Sequence, residues 1–231
     1  LEGYIYDSGT GEKLSDVSIY NRDLTASAVT DQYGYFRMEM DDYTPLASIQ
    51  VSKVGYADTA WTAMEAASLR TLEIKLNADN QAKKKPFPAF RKLAPLWLVP
   101  RQTLINASNI GTSVGKAVQL SLVPSLSTNR FLGGNVVNNV SINLLAGYVQ
   151  GVEWVEFGGL VNIVRENAQY AQFAGIGNVV GNQVRGVQAA GIFNTARKVK
   201  GAQVGGIFNY SVTRANMQVS GIANYARDTA D

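Results

Sequence analysis

The chain contains no cysteine and no histidine. These absences exclude disulfides, thiolate nucleophiles, zinc sites built from Cys and His, and catalytic pairs that need a histidine base. They leave open carboxylate catalysis and the binding of Ca²⁺ or Mg²⁺ by carboxylates. Charged residues are also scarce, at 17% of 231 residues, against about 25% in a typical soluble domain.

Long apolar runs are absent as well. No run approaches the roughly 18 residues of a membrane-spanning helix, so strands would have to cross any membrane. The sequence starts at Leu1 with neither a basic nor an apolar leader segment. We therefore expect a processed or truncated product.

Charge divides the chain into two parts. Residues 1–81 carry 13 acidic and 6 basic side chains, whereas residues 82–231 carry 5 acidic and 15 basic ones. Between 82 and 116 every charge is positive, and prolines interrupt the stretch. These residues are Lys83, Lys84, Lys85, Arg91, Lys92, Arg101 and Lys116, with Pro86, Pro88, Pro95 and Pro100. Because proline breaks helices, we predict a basic Pro-containing linker over 81–115, a solvated tether rather than a nucleic-acid site.

Residues 1–80 contain six short runs of alternating character, separated by turns rich in Gly, Asp and Asn. The runs are 3–6, 17–20, 27–30, 35–38, 48–51 and 71–74. Short strands at this spacing predict a small Greek-key β-sandwich. Turn carboxylates such as Asp7 with Glu12, or Glu39 with Asp41 and Asp42, match no calcium-loop spacing. We predict that they are solvated charges, with no metal site and no catalytic residue among them.

The order of residues in this segment resembles the carboxypeptidase-regulatory-like domain, a peptidase-associated, transthyretin-like family. The motifs are Gly3-x-Ile5-x-Asp7, Thr10-Gly11-Glu12-x-Leu14, Val17-x-Ile19-x-Asn21, Thr30-Asp31-x-x-Gly34-x-Phe36 and Val51-Ser52-x-x-Gly55-Tyr56. The resemblance implies a non-catalytic, seven-stranded sandwich of the kind found at the N-terminus of outer-membrane proteins in Bacteroidetes. We therefore expect no enzyme activity and no cofactor.

The second half of the chain repeats itself. The pattern [Gln/Glu]-x-small-Gly-[Ile/Leu]-x-Asn occurs at 156–162, 172–178, 188–194, 203–209 and 218–224, and its asparagines recur at intervals of 16, 16, 15 and 15 residues. Each copy alternates with a period of two, so we predict one strand per copy. One face of that strand would be apolar, and the other would be small and polar with a single Ile.

Two architectures use such strands. In a transmembrane β-barrel the apolar face would meet lipid and the polar face would line the lumen. The candidate lipid-facing residues are Val204, Phe208, Tyr210, Val219 and Tyr225, and the candidate lumen-facing residues are Gln172, Asn178, Gln188, Asn194, Gln203, Asn209, Gln218 and Asn224. In a β-solenoid each copy would be one coil, with Ile stacked inside and Asn forming a ladder.

The constant spacing favours the solenoid, because barrels usually alternate short turns with long loops. The rows of Phe, Tyr and Val that a solenoid would leave in water favour the barrel. We predict an all-β protein in which the sandwich precedes an antiparallel repeat β-barrel at 116–231, with sandwich plus β-solenoid as the alternative. About seven strands are countable, fewer than a barrel needs. We therefore expect an incomplete sheet or one that closes against another chain.

A second resemblance covers 116–226. The stretch 138–148, Gly151-Val152 and the copies that follow resemble surface-repeat proteins of Bacteroidetes and Leptospira, which often follow a carboxypeptidase-regulatory-like domain. The resemblance implies the cell outer membrane, with the sandwich in the periplasm. We expect a non-enzymatic scaffolding or docking protein that contacts outer-membrane lipid and other envelope proteins, but neither nucleic acid nor a small-molecule substrate. The alternative is a surface-anchored β-solenoid that acts as an adhesin or binding module.

Overall fold

A computed structural model describes residues 1–40, 48–62, 72–79 and 96–227. Strands dominate these residues, and the predicted all-β class is confirmed. The described residues fall into two compact units. One contains those of 1–86 together with 101–114, and the other contains those of 87–100 together with 115–231.

In its described residues the first unit has seven strands in two small sheets. They are β1 (Glu2–Asp7), β2 (Ser18–Asn21), β3 (Ser27–Val29), β4 (Tyr35–Arg37), β5 (Ser48–Ser52), β6 (Thr59–Thr62) and β7 (Leu72–Leu76). One sheet has the order β4-β1-β7 and the other β3-β2-β5-β6. Ile5, Phe36 and Ile74 of the first sheet share one buried core with Ile19 and Val51 of the second. The two sheets therefore pack face to face as the predicted sandwich.

Asp7 holds the turn that follows β1, and its carboxylate is buried rather than solvated as we had expected. Its Oδ1 accepts hydrogen bonds from the backbone N–H groups of Gly9 (2.7 Å) and Thr10 (2.9 Å). Its Oδ2 accepts one from the Tyr56 hydroxyl (2.8 Å). These bonds, led by that from Thr10, lower the pKa of Asp7 below its ordinary value. The charge is thus part of the sandwich structure.

A single α-helix occurs in the described residues, α1 (Arg101–Asn109), and it packs on the sandwich. Asn106 Oδ1 accepts a hydrogen bond from the buried Ser18 hydroxyl (2.8 Å). Asn109 Nδ2 donates to the backbone oxygen of Asp16 (2.7 Å). Polar side chains therefore attach this helix to β2 and to the turn before it.

The predicted linker over 81–115 is only partly described. Residues 81–95 lie outside the described residues. Residues 101–109 are helical and belong to the first unit. That part of the sequence is a packed helix and not a solvated tether.

The remaining strands of the described chain form one twelve-stranded sheet. They are β8 (Val114–Val123), β9 (Leu126–Ser127), β10 (Val136–Asn143), β11 (Ala146–Val149), β12 (Gly151–Gly158), β13 (Val161–Val164), β14 (Asn167–Ala174), β15 (Gly177–Ala190), β16 (Phe193–Gly205), β17 (Phe208–Ser211), β18 (Ala215–Ser220) and β19 (Ala223–Ala226), with short 3₁₀ helices at Leu96–Leu98 and Arg130–Asn135.

From β10 to β19 the described strand pairs are parallel, and residues pair with their equivalents one repeat later. Asn178 pairs with Asn194, for example, and Gln188 pairs with Gln203. Parallel stacking of equivalent residues defines a β-solenoid, so the alternative prediction is confirmed. The antiparallel barrel that we ranked first is wrong, because parallel neighbours from successive repeats replace antiparallel ones.

Each coil consists of a long strand, a tight corner and a short strand. The long strands are β10, β12, β14, residues 183–190 of β15, residues 198–205 of β16, and β18; the short strands are β11, β13, residues 177–180 of β15, residues 193–196 of β16, β17 and β19. We call the two stacks the long sheet and the short sheet. Each copy of the repeat motif is therefore two strands joined at Gly-Ile, not the single strand that we predicted.

The motif isoleucines lie outside the coil, at the corner between the two sheets. Ile192, Ile207 and Ile222 are exposed, whereas the solenoid alternative placed Ile inside. Valine and alanine fill part of the interior instead. They are Val149, Val164, Val180 and Ala196 from the short sheet and Val152, Ala168, Val184 and Val199 from the long sheet.

The corners require glycine because successive coils approach too closely for a side chain. A Cβ atom on Gly191 would overlap the carbonyl oxygen of Gly175, and one on Gly206 would overlap that of Gly191. Gly159, Gly175 and Gly221 occupy the equivalent place in the other copies and meet the same obstacle.

We predict that Gly191→Ala will destabilise the solenoid. The added methyl group must push two backbone segments apart, and overpacking of this kind costs about 1–3 kcal/mol or more. Chemical denaturation followed by circular dichroism measures the loss. Gly115→Ala is the control, because nothing lies within 4 Å of its added Cβ, and it should change the unfolding free energy by less than about 0.5 kcal/mol. Equal effects of the two changes would contradict the close approach.

Candidate functional site

The interior of the solenoid holds a ladder of asparagine side chains. Each Nδ2 donates to the Oδ1 of the next asparagine, with donor–acceptor distances of 2.8–2.9 Å. The members are Asn143, Asn162, Asn178, Asn194, Asn209 and Asn224. From Asn162 to Asn209 the same Nδ2 also donates to a backbone oxygen, such as that of Ala189 for Asn178 (2.9 Å). Both N–H bonds of these buried amides are therefore satisfied.

A glutamine ladder runs beside it in the opposite direction. Nε2 of Gln218, Gln203 and Gln188 donates to Oε1 of the glutamine one coil earlier, at 2.7–2.8 Å. Gln172 then donates to Glu156 Oε2 (2.7 Å). The asparagine ladder donates toward the C-terminus and the glutamine ladder toward the N-terminus.

Glu156 joins the two ladders. Its Oε1 accepts from Asn143 Nδ2 (2.9 Å), the first member of the asparagine ladder, while its Oε2 accepts from Gln172. A carboxylate is suited to this place because it only accepts hydrogen bonds. Burial nevertheless raises the pKa of Glu156, although hydrogen bonds from Gln172, Asn143 and Ser141 act to lower it. The buried carboxyl group of Glu156 therefore links its own coil to the coils before and after it.

The structure places the predicted lumen-facing residues in this packed interior, not along a barrel lumen. Gln172, Asn178, Gln188, Asn194, Gln203 and Asn209 are buried members of the ladders, whereas Gln218 is half-buried and Asn224 is exposed in the last described coil. The sequence alternation grouped these side chains on one face, but they meet one another rather than water.

The outward side of the long sheet carries two apolar rows, which together we call the apolar face. One row consists of Ile142, Phe157, Phe173, Ala189, Val204 and Val219, and the other of Val140, Val155, Ala171, Val187, Ala202 and Met217. Val204 and Val219, two candidate lipid-facing residues, are 43% and 46% exposed. Neither row contains a charged or polar side chain. A continuous apolar surface of this kind is unusual on a soluble monomer and marks an interaction site.

The apolar face ends in a groove at its N-terminal side. The groove has a volume of about 1320 Å³ and lies between β8–β9 and the long sheet. Leu120, Leu126, Leu144, Phe157 and Phe173 are among the residues that line it. The two phenylalanine rings stack, with centroids 5.5 Å apart. The groove therefore lies against the aromatic part of the apolar face.

The other candidate lipid-facing residues lie on the short sheet, not on the apolar face. Phe208 and Tyr225 are exposed and Tyr210 is half-buried. Phe208 stacks on Phe193 (5.5 Å between centroids), and Tyr225 stacks on Tyr210 (5.3 Å). The corner separates them from Val204 and Val219, so the five residues do not share one face.

Two further features adjoin the apolar face at the edge away from the Gly-Ile corners. Trp154 and Tyr170 are 58% and 69% exposed there, in the first coils. In the later coils Gly186 and Gly201 take the place of Tyr170, and exposed basic residues stand one to four residues before that level. We call Arg185, Arg197, Lys198, Lys200 and Arg214 the basic edge. These basic residues lie outside the repeat motif, so the sequence pattern did not connect them to an apolar surface.

The described residues contain no group of three or more His, Cys, Asp or Glu side chains that could hold a metal ion. Within the same residues, no helix has the length and apolar character needed to span a membrane. No known protein-family model matches this sequence, and no curated protein matches it. The two family resemblances therefore remain predictions.

We predict that Glu156 makes solenoid stability depend on pH. Because the pKa of Glu156 is raised in the folded state, folding is favoured at low pH by this group. That contribution is lost as the pH rises from the ordinary glutamate pKa through the raised one. Glu156→Gln removes the titration, so the stability of this variant relative to the parent should increase with pH across that window. Urea denaturation between about pH 4 and about pH 8 measures it.

The control is Glu153→Gln, since Glu153 is only half-buried and accepts one bond, from Gln169 Nε2 (2.6 Å). Its pH profile should follow that of the parent. Parallel profiles for the parent and Glu156→Gln would show that the buried carboxylate does not titrate in this window.

Proposed function

We propose that this protein is a non-catalytic docking module of the cell envelope, in which the solenoid presents the apolar face to a partner surface. The observation that supports the proposal most directly is the apolar face itself. The two rows hold twelve apolar positions over successive coils, each exposed or half-buried, without one polar interruption, and random exposure of single apolar residues does not produce such rows.

Rigidity also suits the face to docking. Parallel backbone pairing and the two side-chain ladders hold every coil beneath it. A surface that is already ordered loses little conformational entropy when it binds a partner. The face is therefore preorganised for a flat or gently concave apolar partner.

The groove offers little that would support catalysis. Its polar contributors are Ser121, Ser125, Ser127, Thr128, Arg130 and Asn143, and no carboxylate lines it. A hydroxyl nucleophile needs a general base. The chain contains no histidine, and no carboxylate lines the groove to take that role. Binding accounts for this lining better than acid–base chemistry does.

Placement at the outer membrane, with the sandwich on the periplasmic side, is part of the same proposal and rests on the two sequence resemblances. The partners in this proposal are outer-membrane lipid and other envelope proteins. A surface-anchored adhesin is the second candidate, since the same apolar face would serve it if it pointed away from the cell.

Fractionation of native cells tests the docking role. We expect the protein to sediment with envelope membranes and to be released by alkaline carbonate, because a solenoid bound through one face has no strand inside the lipid core. Recovery in the soluble fraction before carbonate treatment would contradict docking to the envelope. Retention until detergent is added would contradict attachment through a surface.

A further inference from the structure

We propose that the apolar face and the basic edge together bind the surface of a bilayer that contains anionic phospholipid. This inference rests on the proposed docking function and names the partner as lipid. The solenoid would lie on the membrane with its long sheet toward the lipid, and no strand would cross.

The apolar face has the dimensions and chemistry for interfacial binding. Coils in a parallel stack are about 4.8 Å apart, so the six coils of the apolar face extend about 25 Å along the solenoid. The outward corner adds Leu160, Ile176, Ile192 and Ile207 beside these rows. Apolar side chains on one side of an element insert about 5–10 Å into the boundary between headgroups and acyl chains.

The edge beside the apolar face supplies the groups that sit at headgroup level. Trp154 and Tyr170 are exposed there, and Trp and Tyr favour the membrane–water interface because their rings are amphipathic. One coil further on, Arg185 takes the place that Gln169 has in the preceding coil, and Lys200 follows in the next. Arg185 and Lys200 are both exposed, and they stand two residues before Val187 and Ala202 of the apolar face.

Charge selects the kind of bilayer. Residues 167–227 contain Arg185, Arg197, Lys198, Lys200, Arg214 and Arg227 but no acidic residue. Basic side chains beside an apolar surface are attracted to anionic headgroups. The later coils of a second solenoid provide no matching negative charge, because they carry the same basic residues. A nucleic acid would match the charge but not the two apolar rows.

Co-sedimentation of the purified full chain with vesicles tests the inference. The vesicles are pure phosphatidylcholine, or phosphatidylcholine with a third of phosphatidylglycerol. We expect stronger binding to the anionic vesicles, and loss of that preference near 1 M salt, where the screening length is about 3 Å. The tryptophan emission should shift to the blue on binding, and Trp154→Phe should remove most of the shift.

Two pairs of variants separate charge from apolar contact. Arg185→Gln with Lys200→Gln should weaken binding to anionic vesicles about 30-fold, since each basic residue contributes roughly a fivefold factor. The matched control is Arg22→Gln with Lys75→Gln, which removes two exposed charges from the sandwich and should leave binding unchanged.

The second pair tests the apolar contact. Val204→Gln with Phe173→Gln should weaken binding to both vesicle types, because both side chains belong to the apolar face. All four substituted solenoid positions are on the surface, and circular dichroism verifies that the variants fold.

Other outcomes would overturn the inference. They are absence of binding to anionic vesicles, equal weakening by the sandwich control, and self-association in the ultracentrifuge that Val204→Gln abolishes. Tighter binding to nucleic acid than to vesicles would overturn it as well. The purified protein could fail to bind vesicles while the native protein still sediments with membranes and is released by carbonate. In that case the docking function stands and its partner is a protein.

Discussion

The paired amide ladders inside the solenoid are the interaction on which the rest of this unit depends. A buried primary amide offers two donors and one acceptor oxygen, and each unpaired polar group in the interior costs about 1–3 kcal/mol. Asn178 and Asn194 satisfy both N–H bonds only if successive coils stack with equivalent residues opposite each other. A shift of one residue would turn these amides toward water and bring neighbouring apolar side chains inside. The ladders therefore fix the register of all the coils together.

That constraint also explains why so much apolar surface lies outside. A coil of 15 or 16 residues encloses only a narrow interior, and the ladders and the valine columns already fill it. Val187, Phe173 and Ile192 occupy positions whose side chains have no interior to enter. The core does not need these residues to be apolar, so their character calls for an explanation outside the core. Docking to an apolar partner provides one.

The sequence predicted the period of the repeat and the shared face of its Gln and Asn residues, because both follow directly from spacing and alternation. It did not predict the direction of strand pairing, since alternation is the same in parallel and antiparallel sheets.

The corner within each repeat motif was not predicted either, for a related reason. The corner takes up two residues, Gly206 and Ile207. Gln203 and Gly205 before the corner and Asn209 after it therefore still alternate as they would in one uninterrupted strand. That alternation assigned Ile207 to the polar inner face, whereas the turn of the backbone carries it outside. The head of the glutamine ladder was visible in the sequence, since Glu156 is the single acidic residue at the first motif position.

Parallel stacking brings basic residues of the basic edge close together in successive coils, and their repulsion affects the stability of the solenoid. Val184 pairs with Val199 and Val187 with Ala202, so the flanking register brings Arg185 to the level of Lys200. Like charges on adjacent strands destabilise a sheet by a few tenths of a kcal/mol or more. Two coils earlier the same edge avoids that cost, because Gln169 Nε2 donates to the Glu153 carboxylate. The later coils thus retain a repulsion that a neutral glutamine would remove. An anionic surface at this edge would neutralise both charges at once and convert the repulsive pair into two favourable contacts. The repulsion within the free solenoid and the attraction to anionic lipid then have the same origin, the stacking of basic residues at equivalent positions.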